Sequence, residues 1–365
     1  MTVTRYLLWF LSLIPGLFLT ACLRRFTDQI HHRPVKLILF LLKACLAIWL
    51  AYLVIATASP FLWKYNYPLS GLYIALLADC LCDLVLAVLS FTRYKEIRNL
   101  GMILLCVLTA ALFLQGTINS QMILSHHLRY SSDKLTDKHR FVFLSDLHYG
   151  SSQTQETVRK ALTEIEMLHP EFVLLGGDIT DEHTEKEEME WIFEQLGSLH
   201  TPVYYIYGNH DRQDRGSYLG GKKFTEEELK SAIEDNGLII LQDEYVQVSK
   251  DLVILGREDV TRLTRKAVKD LPAFPENTYL LCVDHSPYQN DEILETGSDL
   301  QLSGHTHAGQ YFPLKFVYTL AGLNVLGNYR IGNTDVYVSP GIGGWYMPFR
   351  NESHCYYEVV ELSPQ

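Results

Sequence analysis

The sequence predicts an α/β domain with a parallel sheet, preceded by a transmembrane region of four helices. Three observations predict it. Four long apolar stretches fill the first third of the chain, strand-like apolar runs alternate with amphipathic helices from residue 141 onward, and short motifs rich in Asp and His follow those runs. The expected organisation is a transmembrane region at 1–125, a polar linker at 126–140 and an α/β domain at 141–365.

The apolar stretches run Tyr6–Leu23, Val35–Ala58, Pro68–Phe91 and Leu100–Ile118. Each approaches the ~20 residues a helix needs to cross ~30 Å of hydrocarbon. Four in succession with short polar links argue against helices buried in a soluble core. Asp79 and Asp83, four apart in the third stretch, share one helix face and read as part of a packed helix interface. Lys43 in the second is expected to reach the membrane boundary. The first link carries Arg24, Arg25, Arg33 and Lys36, the third Arg93, Lys95 and Arg98, and the second only Lys64. Links one and three share a side, which their positive charge assigns to the cytoplasm. The domain at 141–365 is therefore expected on the extracytoplasmic side of a cell membrane that the chain crosses several times, although Arg129 and Lys134 pull the other way. Leu19-Thr20-Ala21-Cys22 has the form of a lipoprotein processing box. Cleavage there would leave three spans and set the basic links on the wrong side, so Cys22 is read as the end of a membrane helix.

Charge divides the chain as sharply as hydropathy does. Residues 1–130 hold 11 Lys plus Arg and 4 Asp plus Glu, leaving 20 basic and 38 acidic side chains beyond. So acidic a domain repels a phosphate backbone, and no nucleic-acid partner is expected. Bound divalent cations would offset part of the charge. Five of the seven cysteines lie in the membrane region, which is no disulfide framework, and Cys282 reads as a small core residue.

Phe141–Leu144 reads as a strand, Gln153–Leu168 as a helix with Val158, Leu162, Ile165 and Leu168 on one face, and Phe172–Leu175 as the next strand. Glu185–Leu199 is an acidic helix and Val203–Tyr207 a third strand. Thr225–Asp235 is a helix whose Thr225 and Glu228 form a capping box. Short strands follow near Leu238, Tyr245 and Leu252, then at Tyr279–Val283, Leu300–Leu302, Asp335–Val338 and Cys355–Leu362. Ser339–Arg350 is a long glycine-rich loop of the kind found beside functional sites.

The motifs sit where these strands end. Asp146 and His148 (SDLH) are two apart in a segment read as extended, so both side chains point one way and make a half-site for Mn, Fe, Zn or Co. Asp178 follows Gly176 and Gly177, and one carboxylate with two oxygens can bridge a pair of cations ~3.5–4 Å apart. Asp181 reads as a supporting or capping residue. Asn209 (GNHD) offers a neutral amide oxygen, His210 stands beside the metals without binding them, and Asp211 is expected to orient and charge that ring. His285 follows a strand, and His305 and His307 alternate in SGHTHAGQ. The remaining nine histidines, His139 and His183 among them, read as surface or boundary residues. No GxSxG surrounds Ser145, and there is no P-loop and no GxGxxG, so the expected nucleophile is water with its pKa lowered by metal. Arg257, Arg262, Arg330 and Arg350 are candidates for phosphate or headgroup contact, or ordinary ion-pair partners. Trp345, Tyr346, Met347 and Phe349 form an apolar cluster that touches lipid or covers the core.

Together the five motifs resemble the calcineurin-like metallophosphoesterase superfamily over most of residues 140–350. HTHAGQ and VSPGIGGWYMPFR are similar to its membrane-associated bacterial branch, which includes the YkuE and YaeI phosphoesterases. The resemblance implies a four-layer α/β/β/α sandwich and two divalent metal ions, with Mn favoured over Fe, Zn or Co. By motif position, Asp146, His148, Asp178 and His307 hold one metal, and Asp178, Asn209, His285 and His305 the other. His210 protonates the leaving oxygen, Asp211 tunes it, and a metal-activated hydroxide attacks phosphorus in line. Asp284, where relatives often have a small or apolar residue, is expected to accept a hydrogen bond from an imidazole. The implied substrate is a phosphomonoester, phosphodiester or pyrophosphate, with a lipid-linked or envelope compound such as a UDP-diacylglucosamine-type pyrophosphate as the specific expectation. The alternative is a non-catalytic metal-binding membrane sensor or receptor on the same fold; the presence of His210 argues against it.

Overall fold

The computed structural model describes residues 3–30, 32–56, 66–90, 100–215, 221–275 and 277–365. It divides into two compact units, one of residues 1–118 with 311–314 and one of 119–310 with 315–365.

The first unit is helical: α1 (Val3–Leu11), α2 (Leu13–Asp28), α3 (Arg33–Ala56), α4 (Asn66–Ser90) and α5 (Leu100–Gln121). Four segments, Leu7–Asp28, Arg33–Val54, Asn66–Val88 and Leu100–Gln121, are long and apolar enough to cross a membrane. Small residues let two helices meet: a Cβ on Gly16 of α2 would stand 2.5 Å from the Gly71 carbonyl carbon of α4. Four charged side chains, Arg24, Lys43, Asp79 and Asp83, converge between the helices. Asp79 accepts from Arg24 and from Lys43 (2.6 Å), and Asp83 accepts from both as well. Lys43 is therefore buried in this ion cluster. Two cations facing two carboxylates are cheaper to bury together than any one alone. Lys64, Arg93, Lys95 and Arg98, and the span ends placed at Ala58 and Phe91, lie outside the described residues.

The second unit holds two six-stranded sheets. The first is ordered β1 (Ile123–Ser132), β12 (Cys355–Pro364), β2 (His139–Leu144), β3 (Val173–Leu175), β4 (Val203–Tyr205), β5 (Ile239–Ile240). The second is ordered β10 (Gly327–Ile331), β11 (Thr334–Val338), β9 (Leu300–Ser303), β8 (Tyr279–Val283), β7 (Leu252–Gly256), β6 (Glu244–Gln247). Alternation along each strand feeds two cores. Phe141, Phe143, Leu174 and Tyr204 meet Leu252, Ile254, Leu281 and Leu302 between the sheets. Val142, Leu144, Val173, Leu175 and Val203 face α6 (Gln155–Met167), α7 (Lys186–Gly197) and α8 (Glu226–Asp235) on the outer side. Beyond the second sheet lies α9 (Asn290–Thr296), whose Ile293 packs on Val336 and Val338. This is the α/β/β/α sandwich.

Sequence periodicity missed two strands, β10 and β1. The first part of the segment expected as a polar linker, from His126 to Ser132, belongs to an edge strand parallel to β12, with Leu128 opposite Val360. Its alternation of polar and half-buried residues carries a weak apolar signal because only one face is covered. Elsewhere Thr225 and Glu228 do form the reciprocal capping box.

Register decides where the loops begin. Leu144 pairs with Leu175, and Leu175 with Tyr205. Three parallel strands thus end level, and the loops after them open at the carboxyl edge of the sheet, where α/β folds collect polar chemistry.

Candidate metal centre

Five loops at strand C-termini converge: those after β2 (Asp146, His148), β3 (Asp178), β4 (Asn209, His210), β8 (His285) and β9 (His305, His307). Backbone bonds lash the first two together, with the Asp146 amide donating to the Gly177 carbonyl (2.9 Å) and the His148 amide to that of Asp178 (3.0 Å). The SDLH segment is not extended. Asp146 and His148 have φ of 52° and 45°, and Asp178, His305 and His307 have 53°, 73° and 49°. Left-handed backbone at five non-glycine residues costs on the order of 1–2 kcal/mol each and concentrates where side chains must be aimed. Close approach demands glycine at two positions. A Cβ on Gly304 would stand 2.2 Å from Asp146 Oδ2, and one on Gly208 2.2 Å from Asp178 Oδ1.

Two sets of ligating atoms result. Asp146, His148 and His307 form one and Asp178, His285 and His305 the other, the atoms of each lying within 4.8 Å of one another. Asp178 joins them: its Oδ2 is 3.6 Å from His148 Nε2 and 3.1 Å from His285 Nε2, while Oδ1 accepts from the His210 amide (2.8 Å). Asn209 Oδ1 lies 2.8 Å from His305 Nδ1.

Hydrogen bonds at the far side of the rings fix their orientation. His285 Nδ1 donates to the Gly176 carbonyl (2.8 Å), and His148 Nδ1 faces Asp181 Oδ2 at 3.2 Å. Both Nε2 atoms then point inward, the arrangement that metal-binding imidazoles adopt. His148 Nε2 and His307 Nε2 face each other at 3.2 Å, and His285 Nε2 is buried with no aligned hydrogen-bond partner. Converging, incompletely satisfied acceptors of mixed N and O type fit a pair of borderline cations.

Electrostatics agrees. Burial and the His285 ring push His305 down to about 4, and burial with His148 and Arg350 holds His307 well below the usual histidine range. Both are neutral at neutral pH, the form that ligates. Burial opposes charge on His285, yet Asp178 and Asp146 overcome it and raise its pKa well above normal. A proton drawn onto a buried ring by carboxylates is one that a cation displaces on binding.

His210 stands beside these sets. Its Nδ1 donates to Glu182 Oε2 (2.7 Å), and its ring packs 5.5 Å from that of Trp345. Burial lowers its pKa, but the charges of Glu182 and Asp178 outweigh that and lift it to about 9. Asp211 does not orient the ring. Its carboxylate accepts from the backbone amides of Asp178 (2.8 Å), Thr180 (2.9 Å) and Gly208 (2.7 Å), which leaves no oxygen for an imidazole. Burial and Asp178 raise its pKa to about 6 against those amides.

Other expectations divide. Asp181 supports His148, as anticipated. Asp284 accepts from Arg265 (2.6 Å) and meets no imidazole. Arg257 pairs with Asp243 and Glu292, Arg262 with Asp214 and Glu226, and Arg330 with Asp335. Arg350 is fully buried, with Nη2 3.3 Å from His307 Nδ1 and 2.6 Å from the Pro340 carbonyl. Trp345, Met347 and Phe349 are buried. His139 is buried between Glu171 and Asp251. Glu182 went unremarked in the sequence; its only signal is a carboxylate four residues after Asp178.

Residues 139–309 match the family model described as calcineurin-like phosphoesterase. The chain carries a calcineurin-like phosphoesterase domain. The domain's relatives include an uncharacterized metallophosphoesterase of Helicobacter pylori, 33% identical over 228 residues (60% of this chain, 58% of that one). A transmembrane protein with metallophosphoesterase domain from Danio rerio is 28% identical over 270 residues (68% and 59%). The phosphodiesterase YaeI of Escherichia coli is 26% identical over 241 residues (61% and 82%). The calcineurin-like match thus spans less than two thirds of the Helicobacter and Danio proteins.

Proposed function

We propose that the chain is a membrane-anchored phosphoester hydrolase with two metal ions, its helices at 1–125 tethering a catalytic domain at 141–365. Asp146, His148, Asp178 and His307 hold one ion, and Asp178, Asn209, His285 and His305 the other. The carrying observation is the position of Asp178 Oδ2, which lies between the Nε2 atoms of His148 and His285, at 3.6 and 3.1 Å. When bound, the ions lower the pKa of water and offset negative charge on the phosphoryl group; Mn is the favoured metal, with Fe, Zn and Co also suited to such donors.

The chain's own residues complete the reaction. Glu182 fixes His210 through Nδ1, leaving Nε2 as the nitrogen available to a leaving oxygen. Glu182 also raises the His210 pKa against burial, which favours the protonated ring that a general acid needs. Asp211 ties the amides of Asp178 and Gly208 together, so the bridging carboxylate and the loop carrying His210 keep one spacing. Arg350 and Trp345 close the site behind His307 and His210.

An apolar tether suits a phosphoester that itself carries a lipid group, and we assign the catalytic domain to the extracytoplasmic side on the basic residues of the first and third links. The test is turnover of bis-p-nitrophenyl phosphate by the full chain with added Mn²⁺, with metal content measured in parallel. His210→Ala should keep its metal and lose ~10²- to 10⁴-fold in turnover. A fully loaded wild-type protein inert toward every phosphoester tried would sink the enzymatic reading and leave a metal sensor.

A further inference from the structure

The membrane unit contains a second polar site, unrelated to the phosphoesterase motifs. Between α2, α3 and α4 lies a cavity of about 590 Å³, within the ~300–1,000 Å³ of small-molecule sites. Arg24, Lys43 and Asp83 line it, together with Arg33 and Lys36 on the first turn of α3 and an apolar wall that includes Leu37 and Phe40.

Its charges fall into two tiers. Arg24 and Lys43 are buried and balanced by Asp79 and Asp83. Arg33 and Lys36 are exposed, and neither has an ion-pair partner among the described residues. Asp28, the other acid in the lining, lies 3.9 Å from Arg24 Nε and is half exposed. The lining is therefore net positive. The start of the 24-residue helix α3 adds the positive end of its dipole to the Arg33 side. A cationic cleft continuous with apolar wall, in a bundle of membrane-spanning length, matches an amphiphilic anion. Basic pockets between membrane helices hold phosphate headgroups by these means.

We propose that this cavity binds a phosphate-bearing anion, the headgroup of an anionic phospholipid whose chain lies along Leu37 and Phe40. Arg33 and Lys36 select the charge, while the balanced cluster below keeps the floor polar without trapping the ligand.

The experiment uses the full chain in nanodiscs containing equal dioleoylphosphatidylglycerol and dioleoylphosphatidylcholine, then native mass spectrometry to count retained lipid. Selective retention of phosphatidylglycerol is expected, falling about tenfold or more in Arg33→Gln/Lys36→Gln. Both side chains are exposed, and turnover of a soluble phosphodiester by this variant should be unchanged, which reports that it is folded. A parallel arm adds millimolar inorganic phosphate: no displacement assigns the site to a lipid headgroup, and displacement assigns it to a soluble phosphate. Equal retention of the two lipids, or retention indifferent to the double substitution, overturns the proposal.

Discussion

Glu182 Oε2 accepts from His210 Nδ1 at 2.7 Å, while Asp211, the next residue along from His210, spends its carboxylate on three backbone amides. A ring that must move a proton is oriented by a residue from another loop, and the adjacent acid holds the loops. The two carboxylates should therefore fail in different ways.

Glu182→Gln should retain its metal and lose roughly 10- to 100-fold in turnover, on the scale of removing a partner that orients a functional imidazole. The pH profile gives the sign. His210 donates only when protonated, and Glu182 raises its pKa against burial, so acid-dependent turnover falls as pH rises through that raised pKa. Bound cations offset the contribution of Asp178, leaving Glu182 as the main raising charge. Its neutralisation should move the basic limb of the kcat profile to lower pH. A limb that stays in place in the variant would detach Glu182 from the proton transfer.

Asp211→Asn keeps the size but replaces one acceptor oxygen with a donor facing an amide. Leaving a buried amide unmatched costs about 1–3 kcal/mol. Thermal unfolding should come at lower temperature, and metal content and turnover should fall together. Lost turnover with full metal occupancy and unchanged stability would show that Asp211 acts on the chemistry directly.

Gly304→Ala should act on one half of the centre. The added methyl would collide with Asp146 Oδ2, whose place is also fixed by the Ser145 hydroxyl (2.6 Å) and the His305 amide. Metal analysis should find close to one equivalent lost, with the Asp178, His285 and His305 set still loaded. Two retained equivalents would mean the loop gives way at little cost.

Asp79→Asn should destabilise the helical unit. It leaves Arg24 and Lys43 buried with Asp83 as their remaining carboxylate partner in the cluster, and breaking a buried pair costs about 3–5 kcal/mol. Thermal aggregation of the detergent-solubilised chain reads this out, and an unchanged midpoint would show that the cluster is hydrated.

Much of this was legible in order along the chain. Strands such as Tyr279–Val283 announce themselves because they are covered on both faces and read as unbroken apolar runs. The motifs after them name the ligands because few other side chains bind divalent cations. What was not legible depends on distance through space. The partner of His210 comes from 28 positions upstream, and DITDEH offers Asp181 and Glu182 without saying which ring each will meet. The lysine expected at the membrane boundary is paired with acids on another helix. The edge strand β1 is half covered, so its pattern is diluted. Alternation of Asp146 with His148 suggested extended backbone, whereas tertiary bonds to Gly177 and Asp178 impose the opposite sign of φ.

That unusual backbone has a thermodynamic corollary. Bonds between loops help hold Asp146, His148, Asp178, His305 and His307 in left-handed backbone, so the fold's own free energy carries the cost of aiming these five side chains. Metal titration of chelator-treated protein should therefore change its far-ultraviolet circular dichroism little.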